Sequence, residues 1–290
     1  MTEPGIARVA VYIDFDNIVI SRYDQLHGRN AFQRDKAKPP PDHAERLAAA
    51  TIDVGAIIDY AASFGTLVLT RAYADWSTEV NASYRGQLVS RAVDLVQLFP
   101  AAAYGKNGAD IRLAVDAVED MFRLPDLTHV VIVAGDSDYI ALAQRCKRLG
   151  RYVVGIGVAG STSRSLMAAC DEFVSYDALP GVEAVEPKNQ PKRRAKRSEP
   201  GGADEEPPAD PQAAATALLE RALRIAHGKD DADWLHNSEV KAQMKRMDPS
   251  FSEKALGYRS FSDFLRSRSG LVDLDESSTT RMVRLHREDD

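Results

Sequence analysis

The chain has 290 residues, enough for one large domain or two smaller ones at roughly 100 to 200 residues each, and the uneven patterning along it favours two. Its hydrophobic share of 44% supports a sizeable core and excludes global disorder. A net charge of -6 excludes a uniformly basic nucleic-acid binder, and no stretch approaches the roughly 20 apolar residues of a membrane helix.

The N-terminal stretch MTEPGIARVAVYIDFDN has acids inside its first apolar run and no small-residue cleavage site after it, so it is not read as a signal peptide. From about residue 8 to 177, apolar runs alternate with helix-like segments. The runs VAVYIDF, TLVLTRAYA, VDLVQLFP, HVVIVAG, RYVVGIGV and EFVSYD are nearly continuous and rich in β-branched residues, as expected of strands buried on both faces of a parallel α/β sheet. Between the first run and the first long helix, SRYDQLHGRNAFQRDKAKPPPD exceeds the usual βα loop of about 2 to 6 residues and reads as a mobile flap over 21–42. HAERLAAATIDVGAIIDYAASFG reads as one long alanine-rich helix closed by a glycine, and SDYIALAQRCKRLG ends the same way. In GADIRLAVDAVEDMF, the residues Ile111, Ala114, Val115, Val118 and Phe122 recur at helical spacing and predict the buried face, which turns Asp116, Glu119 and Asp120 to solvent. Cys146 and Cys170 lie in apolar, helix-like stretches with neither a disulfide framework nor metal-ligand spacing, which suits a reducing cytoplasm.

Several carboxylates stand where these strands end. Asp14 closes the first, Asp75 closes TLVLTRAYAD, and Asp136 with Asp138 close HVVIVAGDSD. Parallel strands deliver their C-terminal ends to one edge, where α/β proteins bind ligands, and carboxylates gathered in one crevice repel one another unless a divalent cation neutralises them. The fragment IDFDN admits three readings. Asp14 and Asp16 can simply end a strand and start a turn. They can be the nucleophile and acid of a haloacid-dehalogenase-type phosphatase, with GDSD as its later metal element. Or Asp14 binds the ion of a metal nuclease while Asn17 orients phosphate or water. Asn17, where the phosphatase motif usually carries glycine, favours the third. In KNGADIRLAVDAVED, Asp110 on a first helical turn either caps that helix or shares a cation with the strand-end acids, and Lys106 would contact phosphate.

In order and character, IDFDN, KNGAD, VAGDSDYIALAQRCKRLGRYVVGIG and SRSLMAACDEFV resemble the NYN domain, in the LabA-like branch of the PIN-like nuclease superfamily, over about residues 8 to 177. The resemblance implies a PIN-like, Rossmannoid sheet flanked by helices and Mg²⁺- or Mn²⁺-dependent RNA hydrolysis. It makes Asp14, Asp110 and Asp136 the metal-binding acids, Asp138 an additional acid and Asn17 the polar partner of the first motif. Asp75 is carried over only because it ends a strand as the family's extra acid does. The long 21–42 segment departs from the family's compact pattern.

Residues 179–211 lose the pattern to Pro and charge and read as a disordered linker, dividing the chain into 1–178 and 212–290. Beyond it, AATALLERALRIA, NSEVKAQMKRM and SFSDFLRSR predict three helices, and LVDLD and MVRLHR two short strands, a winged-helix-like arrangement. NSEVKAQMKRMDPSFSEKALGYRSFSDFLRSRSGLVDLD is similar to OST-HTH, or LOTUS, domains, which implies an RNA or protein partner. The similarity includes Phe251, Gly257, Tyr258, Phe261 and Phe264, whose aromatics read first as the core of a small domain, and Lys241, Lys245, Arg246, Lys254 and Arg259 read equally as phosphate contacts or a solvated face. GIGVAG matches GxGxxG but lacks a second βαβ half, so it reads as a tight strand-to-helix turn whose Ser161, Ser163 and Ser165 could touch RNA backbone. PKRRAKR, with Arg193 and Arg194, would attract RNA phosphates or serve as a solubilising linker. The partners expected are therefore RNA, a protein at the C-terminal module, or a second copy in a homo-oligomer, with no membrane. A non-catalytic RNA-binding regulator is the rival from another class.

Overall fold

Six apolar runs become six parallel strands in a computed structural model that describes residues 6–99, 108–182, 210–227, 234–275 and 281–286. The chain divides into two compact units, Met1–Ala184 and Val185–Asp290. The first contains, in chain order, β1 (Arg8–Asp14), α1 (Phe15–His27), α2 (Ala31–Ala37), α3 (His43–Ala49), α4 (Val54–Ala62), β2 (Thr66–Ala74), α5 (Glu79–Ala82), α6 (Arg85–Ser90) and β3 (Asp94–Gln97). It continues with α7 (Gly108–Arg123), β4 (His129–Val133), α8 (Ile140–Arg148), β5 (Tyr152–Gly157), α9 (Arg164–Ala169) and β6 (Glu172–Ser175).

The sheet order is β3-β2-β1-β4-β5-β6, every pair parallel. Successive side chains of a strand point to opposite faces, so β1 feeds two cores. Val9, Val11 and Ile13 pack with α1, α4 and α6 through Ile18, Ile57 and Leu88. Ala10 and Tyr12 pack with α7 and α8 through Leu113, Ala117, Leu142 and Cys146. A three-layer α/β/α domain results. The chain leaves β1 toward β2 on one side and returns to β4 on the other, which puts the topological switch point between the C-terminal ends of β1 and β4.

Three sequence expectations are corrected. Segment 21–42 is largely helical where a flap was expected: α1 runs to His27, and α2 follows over Ala31–Ala37. The buried stripe of α1, Phe15, Ile18, Val19, Arg22 and Tyr23, has helical spacing, but the arginine in its middle interrupts the apolar pattern. Arg22 is accommodated because Asp177 and Gln25 pair with it. The Asp24 carboxylate then accepts the N–H groups of Asn30 and Phe32, each at 2.8 Å, which fixes the turn into α2.

The expected long helix over 43–65 breaks into α3 and α4. At the break the Ile52 N–H donates to the Tyr84 hydroxyl and the Asp53 N–H to that of Tyr176, while the Asp53 carboxylate caps α4 by accepting from Ala56 N–H at 3.1 Å. Two tyrosines from distant parts of the chain thus replace the helical hydrogen bonds.

The expected face of α7 is wrong in part: Ala114 and Val118 do pack on the core and Glu119 is exposed, but the centre of the buried face lies elsewhere. Ile111, Val115 and Phe122 are 64%, 58% and 70% exposed, whereas Leu113, Ala117 and Met121 are buried. The acids Asp116 and Asp120 turn inward because the sheet supplies polar partners. Tyr12 and Arg71 donate to Asp120, and Tyr73 donates to Asp116.

The second unit contains α10 (Pro211–His227), β7 (Leu235–His236), α11 (Asn237–Met247), α12 (Phe261–Arg266), β8 (Val272–Asp275) and β9 (Met282–Leu285). Its sheet is antiparallel in the order β7-β9-β8. The three expected helices and two strands are present, and the two-residue β7 is too short to leave a sequence signal. Phe251, Phe261 and Phe264 lie in its core with Leu219, Val240 and Met244, and Tyr258 packs on them. Of the expected linker 179–211, residues 183–209, with Arg193 and Arg194, lie outside the described residues, but its first residues belong to the first unit, where Leu179 is buried in the core and Val182 packs on it, and its last, Pro211, opens α10.

Candidate active site

Asp14 is the last residue of β1 and caps α1, accepting the Asn17 N–H on Oδ1 at 3.1 Å. Its neighbour Phe15 is buried against Trp76 and Tyr84, with ring centroids 5.2 and 4.9 Å away, and this fixes the turn from strand to helix. Asp14 itself is only 3% exposed. Burial pushes its carboxyl up to about 7, against hydrogen bonds from Tyr139 and Asn17, and the nearby charges of Asp110 and Asp16 add to the rise.

Asp110 lies in the first turn of α7. The Tyr139 hydroxyl stands 2.8 Å from Asp14 Oδ2 and 2.9 Å from Asp110 Oδ1. One phenolic proton can serve only one of these acceptors, so the second contact needs a proton on a carboxyl. Burial raises the Asp110 carboxyl as well, and the charges of Asp136 and Asp138 push in the same direction. Two carboxyls are thus brought from distant sequence positions to share one hydroxyl in a site that resists full ionisation. Tyr139, itself driven upward by burial and by both acids, is the residue that sequence reading passed over. Its signal was a hydroxyl one position after the GDSD acids, absorbed there into an apolar helix.

Asp136 and Asp138 are exposed and lie on the loop from β4 to α8. Asp136 caps the short turn Ser137–Tyr139, which presents Tyr139 to Asp14 and Asp110. Asn17 holds this loop: its side-chain oxygen accepts the Gly135 N–H at 3.0 Å. The Ser163 N–H in turn donates to the Gly135 carbonyl at 2.9 Å, so the loop carrying Ser161 and Ser163 lies beside it. Ser161 is exposed and Ser163 half-buried. The glycine-rich run before them is a packing device, since a Cβ at Gly155 would sit 2.7 Å from the Phe173 ring and 2.8 Å from Cys170 Sγ.

Asp75 belongs to a different group. Its Oδ1 accepts from Ser77 N–H, the Ser77 hydroxyl and Gln97, and the Ser77 hydroxyl above all holds its carboxyl below the usual range. Among the described residues no hydrogen bond joins Asp75 to Asp14, Asp110 or Asp136. Asp16, which sequence reading treated only as part of IDFDN, lies between the groups. It accepts from Asn81 Nδ2 at 2.6 Å and from the Asp75 N–H at 3.3 Å. Lys106 lies outside the described residues.

The donor chemistry of Asp14 and Asp110 suits a hard divalent cation, which would replace the shared proton and relieve both raised carboxyls. Among the described residues no group of three or more acids, histidines or cysteines converges closely enough to form a closed cage. Mg²⁺ commonly keeps several waters and takes only one or two carboxylates, so an open pair is compatible with it.

In the second unit, Lys241 is committed to Glu253 at 2.5 Å, and Arg246 donates to Gln243 at 2.7 Å. Lys254 and Arg259 are exposed. Among the described residues no helix is long and apolar enough to cross a membrane.

The family model of the NYN domain matches residues 8–177, more than half of the chain, and that of the OST-HTH/LOTUS domain matches residues 206–284. Among solved structures, the crystal structure of a protein of unknown function from Vibrio parahaemolyticus is 21% identical, covering 60% of this chain and 96% of that one with a TM-score of 0.44. No curated protein matches the chain.

Proposed function

The chain belongs to the NYN-domain family and carries an OST-HTH/LOTUS domain after it, and on that premise we propose that it is a Mg²⁺- or Mn²⁺-dependent ribonuclease whose C-terminal module selects RNA or a protein partner. The observation that carries this reading is the Asp14–Tyr139–Asp110 cluster at the switch point of the sheet, where a buried and a half-buried acid share a hydroxyl and, among the described residues, no cationic side chain pairs with them.

Asp14 and Asp110 would hold the ion, with Asp136 at the rim. When bound, such an ion polarises a phosphoryl oxygen and lowers the pKa of a coordinated water. The protein's own part is positioning. Tyr139 fixes the separation of the two acids, and Asn17 ties the β4–α8 loop to the start of α1, so Asn17 acts through Gly135 as a positioning residue. Asp138, exposed on the same loop, can accept a hydrogen bond from the attacking water. Ser161, Ser163, Lys106, Arg193 and Arg194 are proposed as backbone contacts for RNA. Attack is by water without a covalent intermediate. Asp14 is deeply buried with both oxygens engaged, a poor setting for the carboxylate nucleophile that a phosphatase would need. Two buried free thiols suit a reducing cytoplasm.

The open acid pair gives the non-catalytic RNA-binding reading its support. Cleavage of single-stranded and structured RNAs in Mn²⁺, by wild type and Asp14→Asn, separates the two. Metal-dependent cleavage lost in the variant is expected, whereas cleavage unaffected by the substitution overturns the assignment.

A further inference from the structure

A cavity of about 430 Å³ lies beside the acid cluster, bounded by α1, α2, the start of α3 and the turn from β2 into α5. We propose that it binds one nucleotide of a single-stranded RNA, with the base against Phe32 and the phosphate at Lys36. The proposal rests on the ribonuclease reading and gives that site its substrate class.

Position comes first. Asp16, on the cavity wall, is two residues beyond Asp14 on the first turn of α1, so the cavity shares the sheet edge that carries Asp14 and Asp136. Its volume falls within the roughly 300 to 1,000 Å³ of pockets that enclose a small ligand, which admits a nucleotide and excludes a duplex.

The wall chemistry then selects among ligands. Phe32 is half-buried and locked edge-to-face on Tyr23, with centroids 5.5 Å apart at 83°. Tyr23 is fixed in turn by donating to Asp35 at 2.6 Å. A ring held in this way is a preorganised platform for a splayed base, the mode by which single strands are recognised.

Asp16 is equally fixed, because buried Asn81 donates both to its carboxylate and to the Asp75 carbonyl. A carboxylate offers about four acceptor sites, and two of these are taken. The remainder suit base N–H groups or a ribose 2′-hydroxyl. Asp16, Asp75 and Glu79 line the cavity together with Lys36 on α2, whose charge reaches Asp75 and which is the lysine of the lining that a phosphate would meet. A purely apolar ligand would cover the remaining acceptor sites of Asp16 without pairing them, and a free anion would meet three acids.

The full chain tests this by two routes. Single-stranded RNA cleavage should show KM raised about tenfold in Phe32→Ala with kcat changed far less, and Phe32→Tyr should restore KM. Lys36→Ala should raise KM and flatten its salt dependence by about one phosphate contact. Arg34→Ala removes an equal charge from the same helix outside the cavity and should change nothing. Because Phe32 also packs on Tyr23, exposed Lys36 keeps the test independent of folding. Photocrosslinking of 4-thiouridine RNA to Asp14→Asn protein supplies a readout without turnover, and the tryptic peptide 30–34, which carries Phe32, should be labelled. Wild-type cleavage with unchanged KM in both variants and no label on that peptide overturns the subsite alone. Labelling without cleavage by the wild type keeps the subsite and overturns the nuclease. Neither labelling nor cleavage overturns both.

Discussion

Two tyrosine–aspartate networks, each with one buried acid and one half-buried, meet the same helix, α7, and they are built differently. Near its middle, Asp120 accepts from the Tyr12 hydroxyl and is paired with the Arg71 guanidinium, and Asp116 accepts from Tyr73 and Arg112. At its first turn, Asp110 meets Tyr139 and Asp14, and among the described residues no cationic side chain pairs with either acid. A buried carboxylate with its own guanidinium is electrostatically finished and serves packing. One without a counter-charge holds its pKa up and waits for a proton or a cation. The same residue types thus mark structure in one place and a candidate site in the other, and the partner cation is what distinguishes them.

Substitution by asparagine should drive the two networks apart. In Asp14→Asn the cap on α1 survives, since asparagine caps as well as aspartate, but the charged ligand is lost. Cleavage in Mn²⁺ should fall roughly 10³-fold in kcat, while unfolding without metal at pH 8 should require more denaturant, because a strained buried charge has been removed. Asp120→Asn should do the reverse. Leaving Arg71 without its partner should cost about 3 kcal/mol, read as a lower urea midpoint, with cleavage per folded molecule little changed. If Asp120→Asn abolished cleavage with stability intact, the distinction between the networks would collapse.

The same contrast has a pH signature. The Asp14 carboxyl is raised in the folded state to about 7, so the folded protein binds that proton more tightly than the unfolded chain. The resulting stability is complete below the ordinary carboxylate pKa near 4 and is lost as pH rises through about 7. Stability without metal should therefore decline by about 2 kcal/mol between pH 5 and 8, and the decline should shrink in Asp14→Asn to what the raised Asp110 carboxyl still contributes. Mn²⁺ at pH 8 should restore the loss in the wild type only. An equal slope in both proteins would remove Asp14 as its source.

The strands and their terminal acids were legible because a parallel sheet buried on both faces requires long apolar runs, and acids ending such runs stand out. Less legible were the features in which polar residues take core positions. Arg22 broke the stripe of α1, and with it α1 and α2 were read as a flap. Tyr84 and Tyr176, far along the chain, hold the break between α3 and α4. Tyr139 and Asp16 gained their places only when the β4 loop and the β2–α5 turn were folded against α1. In each case the missing information was a tertiary hydrogen-bond partner, which periodicity does not carry.

Helix α7 shows this most sharply, and it yields the smallest expected effect. It carries two apolar stripes. Leu113, Ala117 and Met121 are buried beside the acids, while Ile111, Val115 and Phe122 remain outside. Hydrophobicity alone chose the outer stripe, because burying the inner one requires Asp116 and Asp120 to be buried with it, which is tolerated only with Tyr12, Tyr73 and Arg71 in the sheet. Val115→Ser should therefore change stability by no more than about 0.5 kcal/mol, since the two residues differ little in helix propensity and little apolar area leaves the interior. A loss above about 1.5 kcal/mol in the urea midpoint would show that this face is covered in solution, and its concentration dependence would tell whether a second copy covers it.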